Sequence, residues 1–556
     1  MNAHRVTVPR AVPRGLRLSL LVLLAGAVLY AQTAAPPTEP PRLVVMVVLD
    51  GFRADALSTF SSHWRRGMKT LITEGANFRR VQIPYLTTDT CSGHFTISTG
   101  TLPYEHGMVV DDWYDRDLRK QVECTDDESA RAVTYGADAK AGNSAVNLKV
   151  PTLADRLRDE RPGARVVTLS IKARGAIGLA GHGGTAVTWF DDGAGSFVTS
   201  SVYARAPVPA VKQFFEQSPY QRDLDAAWTL RDADAAYRSR DAALGERPPA
   251  GWDGLFPHLL KGVKGADGQY VTQWQRSGFA NAYLGRFAVS MIDLYQLGKG
   301  QTVDYLGISF TGTDRVGHAF GPDSREYEDA AARLDDVLGD LIAALDRAVG
   351  RQRYVLALTA DHGTTSVPQV TPGAGRVVNE DVRERIEDTL RTRYGAADGG
   401  SHVEWSVWGG YALRAATRAR LEADPATVRA VQEAVQAIPG VQRLLYTPTL
   451  SRESKDALER MAALSGANTR RGEFVLTVQR NWVYTVRNGA DATHHNTGQD
   501  YNQRVPLILL GGAIRAGAYD PLTSLIDIAP TLASLVGVTL PAAHGRVLTE
   551  ALQPRH

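Results

Sequence analysis

Four apolar runs in this chain stop abruptly at polar residues: "RLVVMVVLDG" at Asp50, "RVVTLSIKARG" at Lys172 and Arg174, "VDYLGISFTGTDRVGH" at Asp314 and His318, and "YVLALTADHG" at Asp361 and His362. Runs this rich in Val, Ile and Leu, separated by helix-like stretches such as "AARLDDVLGDLIAALDRAV", read as parallel strands buried on both faces and joined by crossover helices. The expected fold is α/β, with a central, mostly parallel sheet flanked by helices. In open sheets of this kind function collects at the carboxyl ends of the strands, which is where all four polar clusters fall.

The 556 residues exceed what one core usually organises, so insertions are expected. Residues from about 190 to 300 are rich in aromatics and poor in strand-like runs, which predicts helices and loops over the sheet rather than core strands. From about 400 to 480, strand-like "HVEWSVWGGYALRA" alternates with helix-like "DPATVRAVQEAVQAI", the pattern of a small α+β subdomain. The start "MNAHRVTVPRAVPRGLRLSLLVLLAGAVLYAQ" has the layout of a secretory signal over residues 1–31, and 32–41 reads as a flexible mature terminus before a catalytic unit over 42–556. A periplasmic or secreted protein without a membrane span in its mature chain is expected. With 62 basic against 60 acidic residues, the charge carries no nucleic-acid signature. Cys91 and Cys124, the two cysteines, are disulfide candidates in an oxidising compartment.

Asp314 and His318 are four apart and share one face of a helix, so both can serve one metal. Asp361 and His362 end another strand, Asp50 ends a third, and "ATHHNTGQDYNQRVPL" brings His494 and His495 before a fourth. Carboxylates and imidazoles in this mixture suit zinc. Any one of them taken alone reads better as a helix cap or a loop residue than as a metal ligand; the specificity lies in the set.

Together with "TTDTCSGHFTISTG" at 87–100 and "TLPYEHGMVVDDWYD" at 101–115, these segments follow in order the pattern of the alkaline phosphatase superfamily. The chain resembles its monomeric, phosphate-irrepressible bacterial alkaline phosphatases, which are similar to nucleotide pyrophosphatases/phosphodiesterases, from about residue 42 to the C-terminus. The resemblance implies an alkaline-phosphatase-like sandwich, small phosphate-ester substrates, a monomer, and two zinc ions. Asp314, His318 and His495 would hold one, and Asp50, Asp361, His362 and Thr90 the other, with His494 as the alternative to His495. It also implies Thr90 as nucleophile, four residues before His94, and Lys172 and Arg174 as phosphate ligands that the diesterases lack. Cys91 is followed by "SGHF", without the Pro and Arg of the sulfatase branch.

A threonine hydroxyl is protonated at neutral pH, and metal coordination would lower its pKa and clamp an in-line displacement. Lys172 and Arg174, at i and i+2, are expected to point the same way from a strand end. One position departs from the family: where an Asn donor is usual, this chain has Asp111. A carboxylate offers no donor and repels a phosphate dianion, unless it is protonated or paired with Lys172 or Arg174, or is a residue altered in this chain. A secreted phosphomonoesterase acting through a phosphothreonine is the first reading. A phosphodiesterase or nucleotide pyrophosphatase, with Tyr85, Trp113 and Tyr114 forming a slot for the second substituent, is the alternative. A phosphate-ester binder whose turnover Asp111 suppresses is the third.

Overall fold

The computed structural model describes residues 40–136, 142–466 and 470–554, so the expected signal segment lies outside the described residues. Among these residues the large sheet has ten strands: β1 (Leu43–Leu49), β2 (Ala76–Phe78), β3 (Ala132–Thr134), β4 (Val166–Ser170), β5 (Ala186–Asp191), β6 (Ser196–Ser200), β7 (Asp304–Phe310), β8 (Tyr354–Thr359), β9 (Leu507–Gly511) and β10 (Gly517–Tyr519). Their order is β10-β2-β9-β8-β1-β7-β4-β5-β6-β3. The five strands from β8 to β5 are mutually parallel, whereas β9 on one side and β6 and β3 on the other are antiparallel to their neighbours. Every residue of β1, β7 and β8 is buried, as their uninterrupted apolar character requires of strands covered on both faces.

Register turns this topology into a site. Val48 lies level with Thr359 on one side and Ser309 on the other, and Ser309 is level with Ser170. Two residues further on, β1, β8 and β4 therefore deliver Asp50, Asp361 and Lys172 to one edge of the sheet.

The helices that matter for the site are α1 (Thr90–Thr99), α2 (Ala173–Ala180), α3 (Gly268–Gln275), α4 (Gly278–Leu294), α5 (Gly312–Phe320) and α6 (Arg325–Ala348). α1 packs on α2, and α4 on α6. Among the described residues no helix is long and apolar enough to cross a membrane.

The segment 190–300 differs from expectation at one place. Ser196–Ser200, read as part of a covering insertion, is strand β6 of the large sheet, paired with β5 and β3. The short run "SFVTS" is too brief to stand out by periodicity, yet its Phe197 is buried against Phe190 and Phe215, and its Val198 is buried in a separate core with Trp189. The remainder, with α3 and α4, lies against the core through Tyr270, Trp274, Tyr283 and Phe287.

The later insertion holds a four-stranded antiparallel sheet of Val403–Val407, Gly410–Leu413, Phe474–Val478 and Val441–Tyr446, in that order. Helices Asn379–Tyr394 and Pro425–Gln436 close a separate core that runs from Val377 to Tyr484. Cys91 and Cys124 are joined in a disulfide with Cα atoms 6.7 Å apart.

Candidate active site

The polar stretch at 87–100 forms a helix rather than a loop. Asp89 caps α1, its backbone N–H donating to Ser92 Oγ at 3.3 Å, so Thr90 becomes the first helical residue. All ten residues of α1 are buried in spite of their polarity, because hydroxyls bond back to the helix: Thr99 Oγ1 donates to the Phe95 carbonyl at 2.6 Å. Gly93 lets the helix approach the metal-ligand candidates, since a Cβ there would lie 2.6 Å from Asp361 Cβ.

Two ligand sets converge on this helix end. Asp50, Asp361 and His362 form one and Asp314, His318 and His495 the other, each with ligand atoms within 4.8 Å of one another. His318 and Asp314 share a face of α5, with Nε2 and Oδ1 3.4 Å apart. Gly51, at φ 71°, turns the chain after Asp50 where a Cβ would lie 2.9 Å from Asp314 Oδ1.

The donor sets fit divalent metals. Asp50 Oδ1, Asp314 Oδ1, Asp361 Oδ2 and His362 Nε2 are buried and make no hydrogen bond, a costly arrangement unless a cation satisfies them. All three histidines donate from Nδ1 to a backbone carbonyl: His318 to Thr493 at 3.0 Å, His362 to Gly363 at 3.2 Å and His495 to Thr88 at 2.7 Å. That leaves Nε2 of each as the ligand atom. His494 belongs instead to a third group with Asp491 and His318, its Nε2 3.3 Å from Asp491 Oδ2.

Charge in the site is strongly polarised. Burial and the neighbouring Asp361 raise the Asp50 carboxyl well above its usual range. Burial acts the same way on Asp314 and Asp361, but Lys172 and His318 hold the first well below that range, and His362 and His94 lower the second. Burial pushes His362 down to about 4 and lowers His318, which favours the neutral imidazole a metal needs. His495 is pushed up to about 9, because the carboxylates of Asp89 and Asp314 outweigh burial.

Lys172 and Arg174 do not alternate on a strand. β4 ends at Ser170, Lys172 is the N-cap of α2 and Arg174 lies in its first turn, and both side chains line one cavity. Lys172 Nζ lies 2.7 Å from Asp314 Oδ2, 2.9 Å from Asp50 Oδ2 and 3.2 Å from Thr90 Oγ1. Arg174 Nε is 3.0 Å from Asp111 Oδ2. Of the partners considered for Asp111, the structure selects Arg174. Asp111 Oδ1 also accepts from the Cys91 backbone N–H at 2.7 Å, so a carboxylate of the protein itself covers the amino end of α1.

Asp111, Lys172, Arg174, Asp314, His318 and His495 line a cavity of about 190 Å3 with Asp89, Asp112, Arg276, Arg315, Trp408, Tyr484, Asp491, His494 and Asn496. The aromatic slot expected from Tyr85, Trp113 and Tyr114 is absent among the described residues. Tyr85 and Trp113 are buried in packed cores, and Tyr114 stacks on Trp405 with centroids 6.3 Å apart. The aromatics that reach the cavity are Trp408, at the tip of the inserted hairpin with φ 45°, and Tyr484.

A family model described as type I phosphodiesterase / nucleotide pyrophosphatase matches residues 44–501. Alkaline phosphatase PafA of Elizabethkingia meningoseptica is 30% identical over 549 residues, covering 96% of this chain and 98% of that protein. Alkaline phosphatase PhoV of Synechococcus elongatus is 30% identical over 540 residues, covering 94% of each. The solved structure of wild-type PafA superposes with a TM-score of 0.83 at 27% identity, over 94% of this chain and 100% of that one. The family model spans more than half of the chain, and the sheet is that of the solved relative: the chain belongs to the type I phosphodiesterase / nucleotide pyrophosphatase family.

Proposed function

We propose that this protein is a metal-dependent phosphatase that hydrolyses phosphate monoesters through Thr90, in the periplasm or outside the cell. The observation that carries the reading is the position of one ammonium group. Lys172 Nζ touches Thr90 Oγ1 and a carboxylate from each ligand set, so the hydroxyl it contacts sits at the junction of both. Asp314, His318 and His495 would hold one zinc ion and Asp50, Asp361, His362 and Thr90 a second; bound there, the ions supply Lewis acidity and lower the pKa of the hydroxyl.

The chain's own groups then act as follows. Thr90 Oγ1 attacks phosphorus, the P–O bond to the leaving group breaks with its electron pair going to the departing oxygen, and the hydroxyl proton ends on that oxygen, so an alcohol leaves and a phosphothreonine remains. Water attacks the same phosphorus in the second half-reaction and Thr90 regains its proton. The amino end of α1 faces the phosphoryl oxygens with its dipole, and Lys172 and Arg174 add two cations for a dianion.

One observation favours a second reading, a phosphodiesterase. Asp111 occupies both Arg174 and the Cys91 N–H, which removes part of the positive charge a dianion needs, while Trp408 and Tyr484 offer an apolar wall for a second substituent. Comparing kcat/KM for an aryl phosphate monoester and its methyl aryl diester separates the two. The monoester is expected to be preferred; preference for the diester overturns the monoesterase reading. With labelled monoester, Thr90→Ala is expected to abolish covalent labelling and Thr90→Ser to retain it; labelling of Thr90→Ala would remove Thr90 as nucleophile.

A further inference from the structure

We propose that Arg276 and Arg315 form a second anion subsite in the wall of the catalytic cavity, selecting phosphate monoesters whose leaving group carries a second phosphate. The proposal rests on the phosphatase reading for its substrate but not for its binding site. Both arginines line the cavity that contains Lys172 and Arg174. Arg276 stands at the carboxyl end of α3, and Arg315 follows Asp314 on α5.

Asp192, just after β5, holds the two helices in register. Its Oδ1 accepts from Gln275 Nε2 at 2.6 Å and its Oδ2 from Arg315 Nη2 at 3.0 Å, which brings the Arg315 guanidinium to the end of α3, beside Arg276. Of the inner cations, Lys172 is closely matched by Asp50 and Asp314, while Arg174 Nε lies 3.0 Å from Asp111 Oδ2 without forming a hydrogen bond. The outer pair is matched poorly. Asp192 is 53% exposed at its side chain, which screens its pairing with Arg315, and Asp491 is 4.0 Å from Arg276. Arg315 Nε is buried and makes no hydrogen bond. Burial and the nearby Arg315 charge also lower the Arg276 guanidinium, a repulsion that an anion between them would relieve.

A helix carboxyl end favours a cation, which accounts for Arg276 alone. It does not account for Arg315, which lies near the amino end of α5, where the helix dipole disfavours a positive charge. A phosphate bridging two guanidinium groups through paired N–H···O bonds satisfies the leftover donors of both.

The test uses the metal-loaded full-length enzyme with propane-1,3-diol monophosphate and propane-1,3-diyl bisphosphate, which share an alkyl leaving group and differ in the distal phosphate. Wild type is expected to prefer the bisphosphate in kcat/KM by at least about tenfold, well above the statistical factor of two. In Arg276→Gln/Arg315→Gln the ratio should collapse toward that factor, and Arg315→Lys, which keeps the charge, should be intermediate. A wild-type ratio near two, or an elevated ratio unchanged in the double variant, overturns the subsite. If neither ester is hydrolysed, the phosphatase reading fails instead, and calorimetric binding of propane-1,3-bisphosphonate against propylphosphonate still decides the subsite. Equal affinities in wild type overturn it; tighter bisphosphonate binding that the double variant loses supports it.

Discussion

Replacing Asp111 by Asn alters one atom and one charge at the point where the amino end of α1 meets Arg174. The carboxylate accepts from the Cys91 N–H at 2.7 Å and lies 3.0 Å from Arg174 Nε, so a phosphoryl group contacting either donor meets a negative charge within a few ångströms. At about 4 Å and an effective dielectric of 20, each unit of substrate charge is repelled by about 4 kcal/mol. Arg174 cancels most of this while it remains paired, yet a paired Arg174 is not free for substrate. The amide keeps the shape, can still accept from Cys91, offers N–H donors and releases the guanidinium. A net gain of at least about 1.4 kcal/mol, tenfold in kcat/KM for an aryl phosphate monoester, is therefore expected at matched metal content. Burial raises the Asp111 carboxyl, and Asn resembles its protonated form, so the advantage of the variant should shrink as pH falls. An unchanged or lower kcat/KM, or a ratio independent of pH, would refute the argument that Asp111 opposes the phosphate.

Chelation should lower the unfolding midpoint, because each ion at a thousand times its Kd contributes about 4 kcal/mol; a midpoint indifferent to chelator would remove the metal reading. His495→Ala should cost one bound metal equivalent by elemental analysis and His494→Ala none, since the Nδ1–carbonyl bond that frees Nε2 is made by His495. In metal-free protein the His495 imidazole, raised to about 9 from 6.5, contributes stability that is full below 6.5 and lost as pH rises toward 9. His495→Gln should flatten that slope, and a metal-free midpoint flat across this window would count against the Asp89 and Asp314 contacts. Removing the Cys91–Cys124 bridge, which closes a separation of 33 residues, should destabilise the protein by about 3–4 kcal/mol, measured by denaturant titration.

What the sequence makes legible follows from the length scale of each signal. Asp50, Asp361 and Lys172 are readable because each directly follows an apolar run, and level register across β1, β8 and β4 then brings them together without further information. Asp314 and His318 are readable for a similar reason, since one helical turn fixes their spacing. Lys172 and Arg174 show where this reasoning fails: a strand that stops at Ser170 replaces period two with the start of a helix, so the pair reaches the cavity from a helix start rather than from one face of a strand. Asp89 was within reach, as an Asx residue directly before a helix-starting Thr, and its role as cap and as neighbour of His495 is local chemistry. Trp408, Tyr484, Arg276 and Arg315 were not within reach. Trp408 and Tyr484 come from the later insertion and Arg276 from the end of α3, whose docking depends on packing between cores, while Arg315 shares α5 with Asp314 and His318; no short pattern records that these side chains meet the cavity. The division has a functional consequence: the chemistry resides at strand ends that local pattern specifies, whereas the choice of substrate resides in residues that only tertiary packing assembles. Substitutions at Arg276 or Arg315 should accordingly shift selectivity between esters, while substitutions at Thr90 or the ligand sets should lower turnover of all of them.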